Sequence, residues 1–272
     1  MTSWIRILTG NSLMVLLTGI SLTSTAQRSI FLAAGQSNAV GKGDSSASVH
    51  PAPQTAWEYK WEHNTLVPLQ DPAGENYQYL QQATTGSMWP AFADAFHQRT
   101  GDTVIIVPAA RGGASCHQKA RLGDMDTWDI SGNLFNAAVA KTKAAAALSK
   151  GSLKGIIWLQ GERDANAINS GVLQPDEYKA ALSDLIRRFR KALGARLPFY
   201  IVQTGNYKGH PETGFNEVRR IQAELAQTMP QVFIVYRDTP QFPAKHWMTD
   251  DIHYNQNGLN HIGATVADAV KK

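Results

Sequence analysis

Five short apolar runs, separated by stretches of helical periodicity, constrain what this chain can fold into more than any other feature. Residues 30–34, 103–107, 155–159, 199–203 and 232–235 have the length of buried strands and are bounded by turn residues. Between and after them, 89–98, 133–148, 175–193, 216–229 and 258–270 read as helices, with Pro90 and Pro175 at two starts and Gly101 and Gly194 past two ends. Strands alternating with helices of this length predict an α/β fold: a parallel sheet with helices on both faces. Residues 44–88 break the pattern. They carry Ser, Pro, Gln and Asn with the aromatics Trp57, Tyr59, Trp61, Tyr77 and Tyr79, and show no sustained period. Aromatics argue against disorder, so the stretch is expected to be an ordered, loop-rich insertion beside the first strand. No internal repeat or linker divides the 272 residues, and 27–272 is expected to be a single domain with one sizeable core.

At the amino terminus, Arg6 precedes a mostly apolar segment through Leu22 that ends in Ser24-Thr25-Ala26. This reads as an export signal, 1–26, removed after Ala26. It is short for a membrane span, is interrupted by Asn11 and Ser12, and has no cysteine for a lipid anchor. The mature chain is therefore expected to have no stable membrane anchor. Cys116 is the one cysteine, so no internal disulfide can form, and export without disulfides fits a bacterial periplasmic or secreted protein. The formal net charge of +4 is scattered, with no basic run longer than Arg187-Arg188 or Arg219-Arg220, which argues against a nucleic-acid partner. His117, Asp124, Asp126 and Asp129 lack metal-ligand spacing, and no metal or organic cofactor is expected.

Four polar patches follow strands or lie in the last loop: Gly35-Gln36-Ser37, Arg111-Gly112-Gly113, Gln160-Gly161-Glu162 and Asp250-Asp251-Ile252-His253. Strand carboxyl ends share one edge of a parallel sheet, so the first three converge there, and the fourth can fold back onto it. Together they offer a hydroxyl nucleophile, a base, a carboxylate and amide donors, the parts of acyl transfer by a serine. His246 and His261 compete with His253, but only His253 stands three residues after an aspartate in a loop; Asp251 is the rival of Asp250. Glu162 is open to three roles: the acid, a share of it with Asp250, or, as favoured here, a brace for the oxyanion loop. Arg111 and Arg163 either bind a substrate carboxylate or pair with nearby acids, and pairing is expected. Cys116 and His117 are adjacent, but adjacent side chains seldom aim at each other, so no thiol dyad is expected.

These blocks, with Trp158-Leu159-Gln160-Gly161-Glu162, resemble the motifs of the SGNH hydrolase superfamily. Within it they are similar to the sialate O-acetylesterase-like and carbohydrate esterase family 6 (acetylxylan esterase) branch. Leu66-Val67-Pro68-Leu69-Gln70-Asp71-Pro72, the run from Gly86-Ser87-Met88 to Ala93, and Val218-Arg219-Arg220-Ile221-Gln222 support that branch, and the likeness runs from Ile30 to the end. The resemblance implies a flavodoxin-like three-layer α/β/α sandwich around a five-stranded parallel sheet. It implies Ser37 as nucleophile, His253 as general base and Asp250 as the group orienting it. Oxyanion donors would be the Ser37 and Gly113 amides and the Gln160 side chain, which stands where many relatives place Asn. Trp57, Trp61 and Trp89 either stack on sugar rings or are buried. The expected activity is that of a serine carboxylic-ester hydrolase removing O-acetyl groups from carbohydrates, whether acetylated xylan, another glycan or sialic acid. The alternatives are an esterase for a non-carbohydrate short-chain ester, or a non-catalytic carbohydrate-binding protein.

Overall fold

A computed structural model describes residues 27–271, so the expected leader at 1–26 lies outside the described residues. Seven strands form one sheet: β1 (Arg28–Gly35), β2 (Ala56–Lys60), β3 (Thr65–Pro68), β4 (Thr103–Ala110), β5 (Ser152–Leu159), β6 (Phe199–Val202) and β7 (Val232–Tyr236). Their spatial order is β3-β2-β4-β1-β5-β6-β7. Neighbours run parallel except β2 with β3. The helices are α1 (Ser37–Val40), α2 (Trp89–Thr100), α3 (Leu134–Ser149), α4 (Glu162–Asn169), α5 (Pro175–Leu193), α6 (Thr213–Thr228) and α7 (Gln256–Ala269). Among the described residues no helix is long and apolar enough to cross a membrane.

The period of two along β1 divides its side chains between two cores. Ile30, Leu32 and Ala34 pack with Leu134, Leu182, Phe189 and Ile221 of α3, α5 and α6, whereas Phe31 and Ala33 pack with Phe92, Phe96, Leu259 and Ile262 of α2 and α7. A strand buried on both faces has no polar side, which is why these runs read as continuously apolar. Each large side chain so buried contributes about 1.5–3 kcal/mol. The result is the α/β/α sandwich that the alternation predicts.

The sheet has two strands more than the five expected, and both come from the stretch read as having no elements. β2 pairs with β4 through Ala56, Trp57 and Glu58, and β3 pairs back onto β2. The charges in Trp57-Glu58-Tyr59-Lys60 hid the strand. Glu58 is buried and accepts from the Lys60 ammonium and from the Gly74 amide, each at 2.8 Å. Burial pushes its carboxyl up, and the Lys60 charge opposes that. The insertion is tied to α3 by Lys141, fully buried, whose Nζ lies 2.7 Å from Glu75 Oε1. Pairing makes such buried charges tolerable in and beside the sheet.

The chain passes from β1 to β4 on one side of it and then to β5 on the other, so the end of β1 is the switch point where such sheets hold ligands. Register brings the strand ends level there: Gly35 stands opposite Ala110 and opposite Leu159. Gly35 has φ +143°, and a side chain on it would collide with the Leu159 carbonyl. Only glycine lets β1 end this close to β5 and turn at once into Ser37.

Candidate active site

Ser37 is the first residue of α1, set at the mouth of the sheet by Gln36, and its Oγ lies 2.9 Å from His253 Nε2. His253 Nδ1 lies 2.7 Å from Asp250 Oδ2. The other oxygen, Oδ1, accepts the amides of Ile252 and His253 at 2.9 and 2.7 Å, an Asx-type turn that folds the loop around its own carboxylate. A short bridge between Met248 and Tyr254 and the bond from the Thr249 amide to the His253 carbonyl close the loop at its base. Burial works against charge on Asp250, but the His253 ring and the two amides outweigh it and hold the carboxyl below its usual range. A hydroxyl, an imidazole and a carboxylate thus stand in line, the geometry of an activated serine nucleophile.

Asn38 locks this line to the sheet. Its Oδ1 accepts the Tyr254 amide at 3.1 Å and its Nδ2 donates to the Ile252 carbonyl at 3.3 Å, so it grips the chain on both sides of His253. The same Nδ2 donates to Glu162 Oε1 at 2.7 Å. Glu162 is buried at the start of α4, and burial pushes its carboxyl up against the bond from Asn38. It has no hydrogen bond to His253 among the described residues. The brace foreseen for the oxyanion loop therefore acts instead on Asn38 and, through it, on the histidine loop. His246, His261 and Asp251 stand apart: His261 packs on Trp247 and Tyr236, and Asp251 meets Lys208 at 3.9 Å in solvent.

The first turn of α1 leaves the Ser37 and Asn38 amides without intrahelical acceptors. Gly113 has φ +70°, and its amide likewise donates to no protein atom among the described residues. A side chain there would run into Met125 Sδ. Gln160 departs from expectation. Its Nε2 donates to Asp164 Oδ2 and, at 3.3 Å, to the Ala114 carbonyl, and its side chain does not line the cavity over Ser37. Asp164 draws it away because it is a buried carboxylate, pushed up to about 6 by burial even though the Cys116 and His117 amides and Gln160 all donate to it. Cys116 is buried beside it with its thiol pushed well up by burial and by that carboxylate, so it is no nucleophile. The His117 ring turns away to accept the Lys119 amide. Gln36, which the sequence places in the serine patch without a role of its own, lines the cavity instead. Its Oε1 accepts the amides of Gly161 and Arg163 at 3.4 and 3.3 Å, which leaves Nε2 as a donor with no protein acceptor among the described residues.

The geometry can be set beside known proteins. The family model for carbohydrate esterases described as sialic acid-specific acetylesterases matches residues 27–272. The chain belongs to that family. Among solved structures, this carbohydrate esterase is similar to a protein from Arabidopsis thaliana at 21% identity and a TM-score of 0.67, with 89% of this chain and 96% of that one covered. It is similar to the protein NanS at 16% identity and a TM-score of 0.56, again with 89% and 96% covered. It is also similar to a carbohydrate acetylesterase from Xanthomonas citri at 20% identity and a TM-score of 0.50, covering 89% of this chain but 56% of that one. Identities this low speak for the shared fold. No curated protein is similar enough in sequence to count as a relative.

The esterase has a cavity of about 960 Å³ over Ser37 and His253. Arg111, Arg163 and Lys42 line it, and Glu162 is its one acidic residue. The expected pairing of the two arginines is absent: neither meets a carboxylate among the described residues, and Arg163 spends only its Nε, on the Ala120 carbonyl at 2.7 Å. The three tryptophans are not at the site. Trp89 is buried with its Nε1 on the Ala39 carbonyl, Trp61 packs edge-on to Tyr77, and Trp57 faces a separate hollow beside Arg28. Besides His253, the rings that line the cavity are Tyr207 and His210, stacked at 3.8 Å on the loop after β6, a loop with no periodic signal to mark it.

Proposed function

We propose that this carbohydrate esterase is a serine acetylesterase that removes O-acetyl groups from sugars through an acetyl-enzyme on Ser37. The observation that carries the reading is the unbroken chain from Ser37 Oγ to His253 Nε2 and from His253 Nδ1 to Asp250. His253 takes the Ser37 proton as Oγ bonds to the acetyl carbon. The tetrahedral oxyanion is met by the Ser37 and Gly113 amides and by Gln36 Nε2, in the place foreseen for Gln160. His253 then protonates the sugar oxygen as the ester bond breaks. Water attacks the acetyl-enzyme with His253 as base, and acetate leaves.

The substrate we infer is a sugar carrying a carboxylate. Two guanidinium groups without acidic partners, set in the same cavity as the nucleophile, support it, since a planar fork of donors suits a carboxylate. The family's description as sialic acid-specific agrees with that choice. We read 27–272 as one catalytic domain, exported by the apolar leader that ends at Ala26. Hydrolysis of 4-nitrophenyl acetate, abolished in a folded Ser37→Ala variant, tests the chemistry. Acetate release from O-acetylated sialic acid, acetylated xylan and acetylated mannan tests the substrate. The reading predicts turnover of the first above the others, and loss of that preference in Arg111→Gln with Arg163→Gln.

A further inference from the structure

Beside the catalytic cavity lies a second cleft of about 330 Å³, lined by Tyr79, Gln118, Arg121, Asp124, Asp126 and Asn133 among others. The two hollows share their walls. Along one segment Asn76 and Gln81 face the cavity while Tyr79 faces the cleft; along another Leu122 and Met125 face the cavity while Arg121, Asp124 and Asp126 face the cleft. The two hollows are therefore neighbours along these two segments.

The wall is built to hold an aromatic ring out in water. Tyr79 is 51% exposed, though Tyr77 on one side packs on Trp61 and Leu80 on the other is buried. Gln81 fixes the segment through its amide on the Ala110 carbonyl and its Oε1 on the Gly112 amide. Gln78 and Tyr79 both sit in the left-handed region, at φ +46° and +72°, where side chains are disfavoured. Strain of this kind persists where the surroundings impose it. Opposite the ring, the loop from Arg121 to Met125 is held tight by Arg121, whose Nε and Nη2 donate to the Met125 and Asp124 carbonyls. The Asp124 carboxylate and the Asn133 side-chain amide are left with no hydrogen bond among the described residues. Asp126 is already occupied by the Thr127 and Asn133 amides.

We infer that this cleft is a second sugar subsite, holding the neutral hexose to which the acetylated acidic sugar is linked. The inference rests on the acetylesterase reading above. A pyranose lays its C–H face on an aromatic ring and offers its hydroxyls to carboxylates and amides, and Tyr79, Asp124 and Asn133 supply one of each. The balance of charge assigns the order: the cavity sets Lys42, Arg111 and Arg163 against Glu162 and takes the anion, whereas the cleft sets Arg121 against Asp124 and Asp126 and suits a neutral sugar.

The test compares free O-acetylated sialic acid with the same sugar at the end of sialyllactose. The wild-type enzyme is expected to show a KM about tenfold lower on the trisaccharide, the effect of one well-used aromatic contact. Tyr79→Gly, which also relieves the left-handed backbone, removes that gain and leaves kcat on the free sugar and on 4-nitrophenyl acetate unchanged. Asp124→Asn weakens the gain without touching either reference substrate. Equal KM values for the two sugars in an enzyme active on 4-nitrophenyl acetate overturn the subsite and leave the esterase standing. Should the protein fail on 4-nitrophenyl acetate, the esterase reading falls, and the cleft is judged by binding alone. Saturation transfer to the lactose protons of sialyllactose, present in Ser37→Ala and lost on adding Tyr79→Gly, supports it. Transfer unchanged by Tyr79→Gly, or absent throughout, refutes it.

Discussion

Replacing Asp250 by Asn separates the two acids near His253, and the structure sets the size of the effect. Asp250 uses Oδ1 for the Ile252 and His253 amides and Oδ2 for His253 Nδ1 at 2.7 Å. In Asp250→Asn the oxygen stays with the two amides, because they can only donate, and the new NH2 faces the ring. Nδ1 must then accept, so the proton moves to Nε2, and Nε2 can no longer take the Ser37 proton across its 2.9 Å contact. The loop keeps its turn, so the protein folds, but the ring is held in the wrong tautomer. The same change in the serine-protease triad lowers kcat by about 10⁴, which corresponds to about 5 kcal/mol in the barrier. Glu162→Gln keeps an oxygen for Asn38 and touches His253 only through it. Its expected cost is that of one weakened hydrogen bond, about 1 kcal/mol or less than tenfold. The measurement is kcat on 4-nitrophenyl acetate for both variants, with circular dichroism to show equal folding. A Glu162→Gln enzyme more damaged than Asp250→Asn would reverse the two roles.

Gln36→Glu keeps the acceptor for the Gly161 and Arg163 amides but removes the donor, so kcat should fall by about a hundredfold or more, with circular dichroism to show that the buried position still folds. Activity near wild type would return the oxyanion to other donors. Glu75→Gln leaves Lys141 buried without its partner and should cost about 3–5 kcal/mol at neutral pH by urea unfolding. Burial opposes the charge on Glu75, but Lys141 and the Trp61 and Glu62 amides outweigh it and lower its carboxyl below 4.5. A lowered carboxyl stabilises above its unfolded value and loses that contribution as pH falls through the folded one, so the gap between wild type and variant should hold down to about pH 4.5 and close below it. A gap independent of pH would deny the ion pair. On 4-nitrophenyl esters, an acetyl-specific site predicts rates that drop from acetate through butyrate to octanoate, with Lys42, Arg111 and Arg163 among the cavity walls opposing the gain of about 0.8 kcal/mol per methylene. A rise toward octanoate would contradict an acetyl-specific site.

What this sequence determines by itself is the frame and the meeting of Ser37, His253 and Asp250. Runs such as Ile30–Ala34 must be strands buried on both faces, and strands that alternate with helices must be parallel. Gln36-Ser37, Gly112-Gly113 and Glu162 therefore reach one edge before any coordinate is known. The spacing of Asp250 and His253 likewise suffices, because an aspartate folds a turn onto amides two and three residues ahead of it. Tertiary structure decides whatever depends on a partner distant in the chain. β2 exists because the Gly74 amide, reached from beyond the hairpin, joins Lys60 in meeting a buried glutamate that local pattern reads as exposed. Gln160 turns from the cavity toward the Ala114 carbonyl and toward Asp164, which the distant Cys116 and His117 amides hold in place, and Gln36 is free to donate because Gly161 and Arg163 hold its oxygen. Tyr207 and His210 line the cavity over Ser37 and Tyr79 lines the cleft beside it, whereas the three tryptophans line neither, since aromatic type carries no direction until packing gives it one. Local pattern encodes backbone period, and only the assembled chain sets where a side chain's charge or hydrogen bond is met.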